Sequence, residues 1–287
     1  MKEKLQYKRY SRSKLGNIFF FVFLFLAGAF AVLPMIYTVV TSFKPLDELL
    51  VFPPRFFVQR PTLQNFVTLP TLMSNLKMPI SRYSYNSIFT TVVTTVLQVI
   101  VASMAAFSLS KIKLKGRKTV FLIVQFALLY NSYTLAIPQY IIFSNLRLVN
   151  TYWIYILPHL ASSMGVFLIK QFIDDSIPDV LLEAAKIDGA GYGRIFWQIV
   201  FPNIKPAWLT LLLFAFRDMW SLTPSGVIFD EELKTLPMVM SQISSGGLAR
   251  AGCTMAASTL MMIPPIIVYM CTQSNVMETM SSAGIKD

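Results

Sequence analysis

The chain has 287 residues, of which 55% are hydrophobic and only 14% are charged, and its mean hydropathy is +0.58. This charge is too low to cover a water-soluble protein of that size, and the hydrophobicity excludes intrinsic disorder. Only two cysteines, Cys253 and Cys271, are present, which excludes a disulfide scaffold. The net charge of +11 comes from short basic stretches between apolar runs. That arrangement indicates a membrane protein and argues against a nucleic-acid-binding one.

Stretches free of Asp, Glu, Lys and Arg predict the membrane-spanning helices. A spanning helix needs about 20 apolar residues, and five stretches are long enough. A sixth, after Lys205, is interrupted by Arg217-Asp218. Either it ends at Arg217 or it crosses with the charged pair, and the second alternative gives an even number of spans. The six predicted spans lie at about residues 16–42, 86–110, 119–143, 152–172, 203–224 and 252–273.

The distribution of basic residues predicts the orientation. If both termini are cytoplasmic, sixteen of the 25 Lys and Arg residues lie in the head 1–14, the turn 111–118, the region 170–205 and the tail. The head and the apolar run after it also resemble a signal peptide, but that run continues unbroken to Ser42. We therefore expect a basic cytoplasmic head, residues 1–14, and one all-α polytopic membrane domain with six transmembrane helices, residues 15–287.

The cytoplasmic loop 173–202 carries the most informative local signals. Ser176 is a candidate N-cap, and Pro178-Asp179 suit a first helical turn. Glycine at 189 predicts the end of that helix. A second short helix is predicted over 192–200, with Pro202 ending it. A loop with this much apolar surface needs a partner to bury it. The apolar residues of the first helix are Val180, Leu181, Ala184, Ala185 and Ile187.

One pattern in this loop carries a family resemblance. Glu183-Ala184-Ala185 is followed after three residues by Gly189, and after nine more by Ile199-Val200-Phe201-Pro202. This pattern resembles the EAA loop of bacterial ABC importer permeases. Asp188-Gly189-Ala190 and Phe196-Trp197 are similar to the fuller version found in sugar uptake permeases.

The resemblance extends over nearly the whole chain. Ser42-Phe43-Lys44-Pro45, Asn86-Ser87 and Asn150-Thr151-Tyr152 are similar to the smaller permease of maltose-type oligosaccharide importers. The tail 279–286 is most similar to polysaccharide-type permeases. The chain departs from the family at 216–220, where Phe-Arg-Asp-Met-Trp replaces a Trp-Asn-acidic-Phe pattern. This departure weakens any substrate role transferred to that stretch.

The resemblance implies a type I ABC importer permease in the bacterial cytoplasmic (inner) membrane. It implies a complex with a second permease, two ATPase subunits and an extracytoplasmic solute-binding protein, which imports an oligosaccharide by alternating access. The chain has no G-x-x-x-x-G-K-[ST] loop. ATP and Mg are therefore expected to be used by the partner subunits, with no cofactor and no metal bound by this chain, which is not itself an enzyme.

The resemblance also implies roles for individual residues of the loop. Glu183 would pair with a basic residue of an ATPase subunit, and Gly189 would let the two short helices approach. The complete set of expected ATPase-coupling residues is Glu183, Ala184, Ala185, Asp188, Gly189, Ile199 and Pro202.

A candidate translocation path follows from residue chemistry. Aromatic rings cover the apolar faces of pyranoses, and polar side chains bond their hydroxyls. The alternative is that these residues pack against lipid and other helices. For Arg217 and Asp218 it is a structural pair at the outer mouth or the subunit interface. The candidates are Tyr130, Asn131, Tyr133, Arg217, Asp218 and Trp220, with Gln139 beside them.

Three further alternatives remain open at this stage. The single histidine, His159, either serves a proton relay or packs within its span. The loop 224–250 either reaches into the binding protein or is a passive connection. The whole chain is an ABC permease for oligosaccharides, an ABC permease for another solute, or a stand-alone proton-coupled carrier. Co-purification with an ATPase separates the last from the first two.

Overall fold

The computed structural model describes residues 14–74, 78–130, 132–224, 226–247 and 250–283, and all regular secondary structure within these ranges is helical. A π-helical turn, Phe196–Val200, and a 3-10 turn, Glu231–Leu233, lie between the α-helices. The helices in chain order are α1 (Lys14–Ser42), α2 (Leu46–Leu49), α3 (Gln64–Ser74), α4 (Ile80–Lys111), α5 (Arg117–Ala127), α6 (Ser132–Asn145), α7 (Trp153–Leu160), α8 (Ser163–Ser176), α9 (Asp179–Ile187), α10 (Tyr192–Ile195), α11 (Phe201–Asn203), α12 (Lys205–Trp220), α13 (Leu236–Ser244) and α14 (Ala251–Ala283).

Four helical stretches of the described chain are long and apolar enough to cross a membrane. They are Leu15–Ser42, Ile80–Lys111, Trp153–Ser176 and Ala251–Gln273. A fifth candidate combines Tyr192–Asn203 with Lys205–Trp220, and these two helices meet at an angle of 81°. The helix α12 continues through Arg217-Asp218, and its 16 residues give a length of about 24 Å.

The third predicted span, residues 119–143, was expected to be one helix, and this expectation is wrong. Residues 119–143 are divided between α5, with 11 residues, and α6, with 14 residues. At the break, Leu129 N donates to Phe126 O at 3.0 Å, which tightens the last turn of α5. The span at 152–172 is also interrupted, because α7 ends at Leu160 and Ser162 caps α8 by accepting a hydrogen bond from Gly165 N at 3.0 Å.

The segment between the first two spans, expected to cross the outer face irregularly, contains α2 and α3. Asn65 holds α3 against the end of α1: its Nδ2 donates to the carbonyl oxygens of Ser42 and Lys44, both at 2.8 Å. The helix α4 begins at Ile80, earlier than the predicted start at residue 86. The later loop 224–250 forms α13, which buries Val239 against α14 and α4.

The helix α4 is the central element of the packing, in contact with α7, α8 and α12. The largest cluster of buried side chains lies around its C-terminal half and includes residues of the loop between α8 and α12. Its members from the spans are Val99, Ala102, Ala106, Phe107, Ile169, Ile173, Ala207 and Leu211. The helices of the loop are therefore packed directly on the spans.

Candidate functional site

The first helix of the loop, α9, starts later than its predicted cap. Ser176 is the last residue of α8, so the expectation that it caps α9 is wrong. The N-cap is Pro178, with φ −66° and no side-chain cap hydrogen bond, and Asp179 is the first helical residue. A proline lacks a backbone donor, which costs nothing at this position, and an acidic residue is stabilised at the positive end of a helix.

One face of α9 packs inside the molecule. Leu182 and Ala185, three residues apart, are buried in the same cluster as the spans. Ile195, Phe196 and Val200 from the following helical segment join them. The buried face of α9 therefore belongs to the same cluster as side chains of α4, α8 and α12.

The opposite face of α9 is apolar and exposed. Val180 is 74% exposed and Ile187 is 86% exposed, and Ala184 lies between them at helical spacing. Glu183 lies next to this stripe, and its exposed carboxylate has no hydrogen bond or ion pair within the described residues. A short helix that is apolar on both sides has one side available for another protein.

Gly189 ends α9 through its backbone conformation. Its φ is +79°, its N–H donates to Lys186 O at 3.0 Å, and Ala190 N donates to Ala185 O at 2.9 Å. These two bonds form a complete Schellman motif. A Cβ atom at Gly189 would meet nothing within 4 Å, so the expectation that it serves a close approach of two helices is wrong. The exposed Asp188 completes this turn as the C-cap.

The second helical segment runs beyond its predicted end. Instead of stopping at residue 200, it continues to Asn203 and bends before α12. Pro202 lacks the N–H that would continue the α-helical ladder, and Phe201 N donates to Phe196 O, five residues back. Ile199 packs against the buried cluster, and Pro202 is exposed.

Polar contacts also tie the loop to the C-terminal end of α4. Lys111 Nζ donates to Ile177 O at 2.7 Å and forms an ion pair with Asp179 Oδ1 at 2.8 Å. Ser110 Oγ donates to Asp174, which also pairs with Lys170 at 2.5 Å. The sequence analysis did not predict these contacts. Their signal was the basic turn 111–118 together with acidic residues at the C-terminal end of α8 and the start of α9.

The basic residues around Asp179 favour the ionised form of its carboxyl group. The hydrogen bond and the positive charge of Lys111 lower the pKa of Asp179. Arg117 and Lys113 act in the same direction through their charges. The Asp179 carboxylate is therefore held in its ionised form at neutral pH.

Comparison with known proteins decides the family. Residues 8–280 match the model of the family described as "Binding-protein-dependent transport system inner membrane component". The chain belongs to this family of transport permeases.

Two relatives and one solved structure illustrate the similarity. The melibiose/raffinose/stachyose import permease protein MelC of Bacillus subtilis is 30% identical over 205 residues, covering 70% of this permease and 74% of MelC. The polygalacturonan/rhamnogalacturonan transport system permease protein YtcP of the same species is 25% identical over 285 residues, covering 90% and 93%. A bacterial ABC transporter involved in the import of the acidic polysaccharide alginate contains a chain of the same fold, with a TM-score of 0.75, 22% identity and coverage of 92% and 98%.

The candidate path residues of the permease occupy different environments. Tyr130 is 65% exposed, and Arg217 and Asp218 are both exposed, with Nε and Oδ1 4.0 Å apart. Trp220 is buried, its Nε1 donating to Met261 O at 3.0 Å, which gives the ring a packing contact between α12 and α14. Asn131 and the side chain of Tyr133 lie outside the described residues.

Proposed function

We propose that this permease imports oligosaccharides as one of two membrane subunits of an ATP-driven transporter, and that α9 is its contact with an ATPase subunit. The observation that carries the coupling role is the exposed apolar stripe of α9 with the unpartnered carboxylate of Glu183 beside it. Exposing apolar surface to water is unfavourable, and the free energy falls when a complementary cleft covers that surface.

The family, whose members are inner membrane components of binding-protein-dependent transport systems, supports the proposed assembly. In it, two ATPase subunits use ATP and Mg, and this chain, which has no phosphate-binding loop, binds no cofactor. A second permease and an extracytoplasmic solute-binding protein complete the importer. In the proposed topology both termini are cytoplasmic, α5 with α6 forms the third of six crossings, and α12 forms the fifth.

The mechanism uses the two faces of α9 for different purposes. Its exposed face, with Ala184 and Glu183, docks on an ATPase subunit, and its buried face, with Leu182 and Ala185, transmits movement. Closure of the ATPase dimer on ATP shifts α9, and the close-packed cluster moves α4, α8 and α12 with it. Gly189, Asp188, Ile199 and Pro202 set the shape of the loop that carries α9.

The substrate class rests on the family and on the names of similar permeases, which transport melibiose, raffinose, stachyose and polygalacturonan. The test is reconstitution of the whole importer in proteoliposomes with its binding protein. Raffinose, stachyose, arabino-oligosaccharides, trigalacturonate and alginate oligomers would be supplied in turn. We expect at least one to stimulate ATP hydrolysis and to accumulate only with ATP. Stimulation by amino acids or polyamines alone, or uptake driven by a proton gradient, would contradict the proposal.

The coupling role is tested by Glu183→Lys in the same importer. The reversed charge should abolish both uptake and stimulated ATP hydrolysis, because it faces a basic partner, while the amount of assembled permease in the membrane stays unchanged. The matched control is Lys115→Glu, a charge reversal on another exposed cytoplasmic position, which should transport normally. Normal coupled uptake by Glu183→Lys would remove α9 from the mechanism.

A further inference from the structure

A cavity of about 720 Å³ lies where two interrupted spans meet. Ala127 and Tyr130, at the break between α5 and α6, line one wall. His159 and Ala161, at the break between α7 and α8, line another. Leu222 and Val227, beyond the outer end of α12, contribute to its border. Both interruptions therefore open into one space.

The two breaks lie at similar depth. With a rise of about 1.5 Å per residue, the 11 residues of α5 place its break about 16 Å above the basic turn. The 14 residues of α8 place the other break about 21 Å above the cytoplasmic loop. An interrupted helix at membrane depth leaves backbone groups without ladder bonds, which is tolerated next to protein or a water-filled cavity and not in lipid.

Four polar side chains line the cavity, and each keeps at least one polar atom without a hydrogen bond in the described part of the chain. His159 Nδ1 lies 3.0 Å from Tyr155 O. A carbonyl oxygen only accepts, so Nδ1 carries a proton, and in the neutral form of the ring Nε2 is then an acceptor. Tyr130, Gln139 and Tyr140 also line the cavity, and none of their side chains makes a hydrogen bond within the described residues.

We propose that this cavity is a saccharide-binding site on the permease itself, with His159 as the acceptor for a sugar hydroxyl. The proposal rests on the proposed function and adds a location within the membrane. The rings of Tyr130 and Tyr140 supply flat apolar surface for the C–H faces of a pyranose. The amide of Gln139 donates and accepts hydrogen bonds with hydroxyl groups. The volume, more than 300 Å³, is in the range of small-molecule sites.

Cysteine labelling tests whether the cavity is wet. In the full importer, with Cys253→Ala and Cys271→Ser, the variants Tyr130→Cys and His159→Cys are exposed to the charged thiol reagent methanethiosulfonate ethyltrimethylammonium from each side of the membrane. We expect both to react at least tenfold faster than Ile137→Cys, a control on α6 that is exposed but does not line the cavity. Reaction no faster than the control from either side would overturn the proposal.

Transport stoichiometry tests whether sugar is held there. His159→Leu and Tyr130→Leu should lower uptake of radiolabelled raffinose or trigalacturonate about five-fold at saturating binding protein, while stimulated ATP hydrolysis is retained. His159→Gln, which restores an acceptor, should recover most of the uptake. A structural role would change uptake and hydrolysis together. Wild-type uptake per ATP in both leucine variants would overturn the site and leave the importer function intact, whereas failure of the wild-type importer to take up any saccharide would overturn the function.

Discussion

At the residue scale, Gly189 controls how α9 ends. Its φ of +79° is favourable only for glycine, and the space around it is open. Gly189→Ala should therefore destabilise the turn by about 1 kcal/mol through backbone strain and lower coupled uptake. Gly193→Ala is the matched control, because this glycine is helical and also has open space around it. Uptake and thermal unfolding of the assembled importer give the comparison, and equal behaviour of the two variants would contradict the argument.

The Lys111–Asp179 pair gives the loop a defined pH response. The pKa of Asp179 is lowered by the hydrogen bond and charge of Lys111. A carboxyl group with a lowered folded-state pKa stabilises the folded state above its unfolded pKa, and this contribution is lost as the pH falls through the folded value. Amide protection of α9, corrected for intrinsic exchange, should therefore be constant between about pH 5 and pH 8 and fall only below about pH 4.

Asp179→Asn is the comparison for that pH profile. It removes the ionisable partner, so protection of α9 should be lower than in the wild type at neutral pH and should lose this acid-dependent step. Because Asp179 is exposed, the difference should shrink as salt is added. Identical profiles for the two proteins in hydrogen exchange would show that the pair does not hold α9.

At the element scale, Asn86 connects the loop 224–250 to α4. Its Nδ2 donates to Glu232 O at 2.7 Å and Lys234 O at 2.9 Å, and its Oδ1 accepts from the Tyr152 hydroxyl at 2.7 Å. Asn86→Leu would leave these buried groups without partners and should destabilise the permease by about 3 kcal/mol. Thermal unfolding and proteolysis of the loop measure the effect, with Asn145→Leu, an exposed position, as control. Unchanged stability of Asn86→Leu would refute the argument.

The positions of some helices could be predicted from the sequence, and those of others could not. Apolar composition and stretches free of charged residues predicted the helical class and the approximate positions of α1, α4 and α14. The break after α5 was missed because Leu128-Leu129 contain neither glycine nor proline, so the apolar run looked continuous. The break between α7 and α8 could have been predicted, because Ser162 is a typical N-cap residue. For α9, periodicity marked apolar residues, but only the surrounding spans determine that Leu182 turns inward and Val180 outward.

At the scale of the whole molecule, the proposed topology places three features at similar depth in the membrane. They are the two helix breaks and the charged pair Arg217-Asp218, about 18 Å along α12 from Lys205. Charges at that depth are costly in lipid. Because both side chains are exposed, we expect them to lie against the proposed partner permease or along the proposed solute path.

Arg217→Gln distinguishes these two locations. If Arg217 faces the solute path, its positive charge attracts carboxylated sugars, and uptake of trigalacturonate should fall several-fold more than uptake of raffinose in the reconstituted importer. If it faces the partner permease, both substrates should lose uptake equally, and less permease should assemble with its partner. Trp220→Phe provides the control for packing on the same helix, because it removes the Nε1 bond to Met261 without changing charge. Selectivity that depends on substrate charge in Arg217→Gln, and is absent in Trp220→Phe, would place the guanidinium on the path.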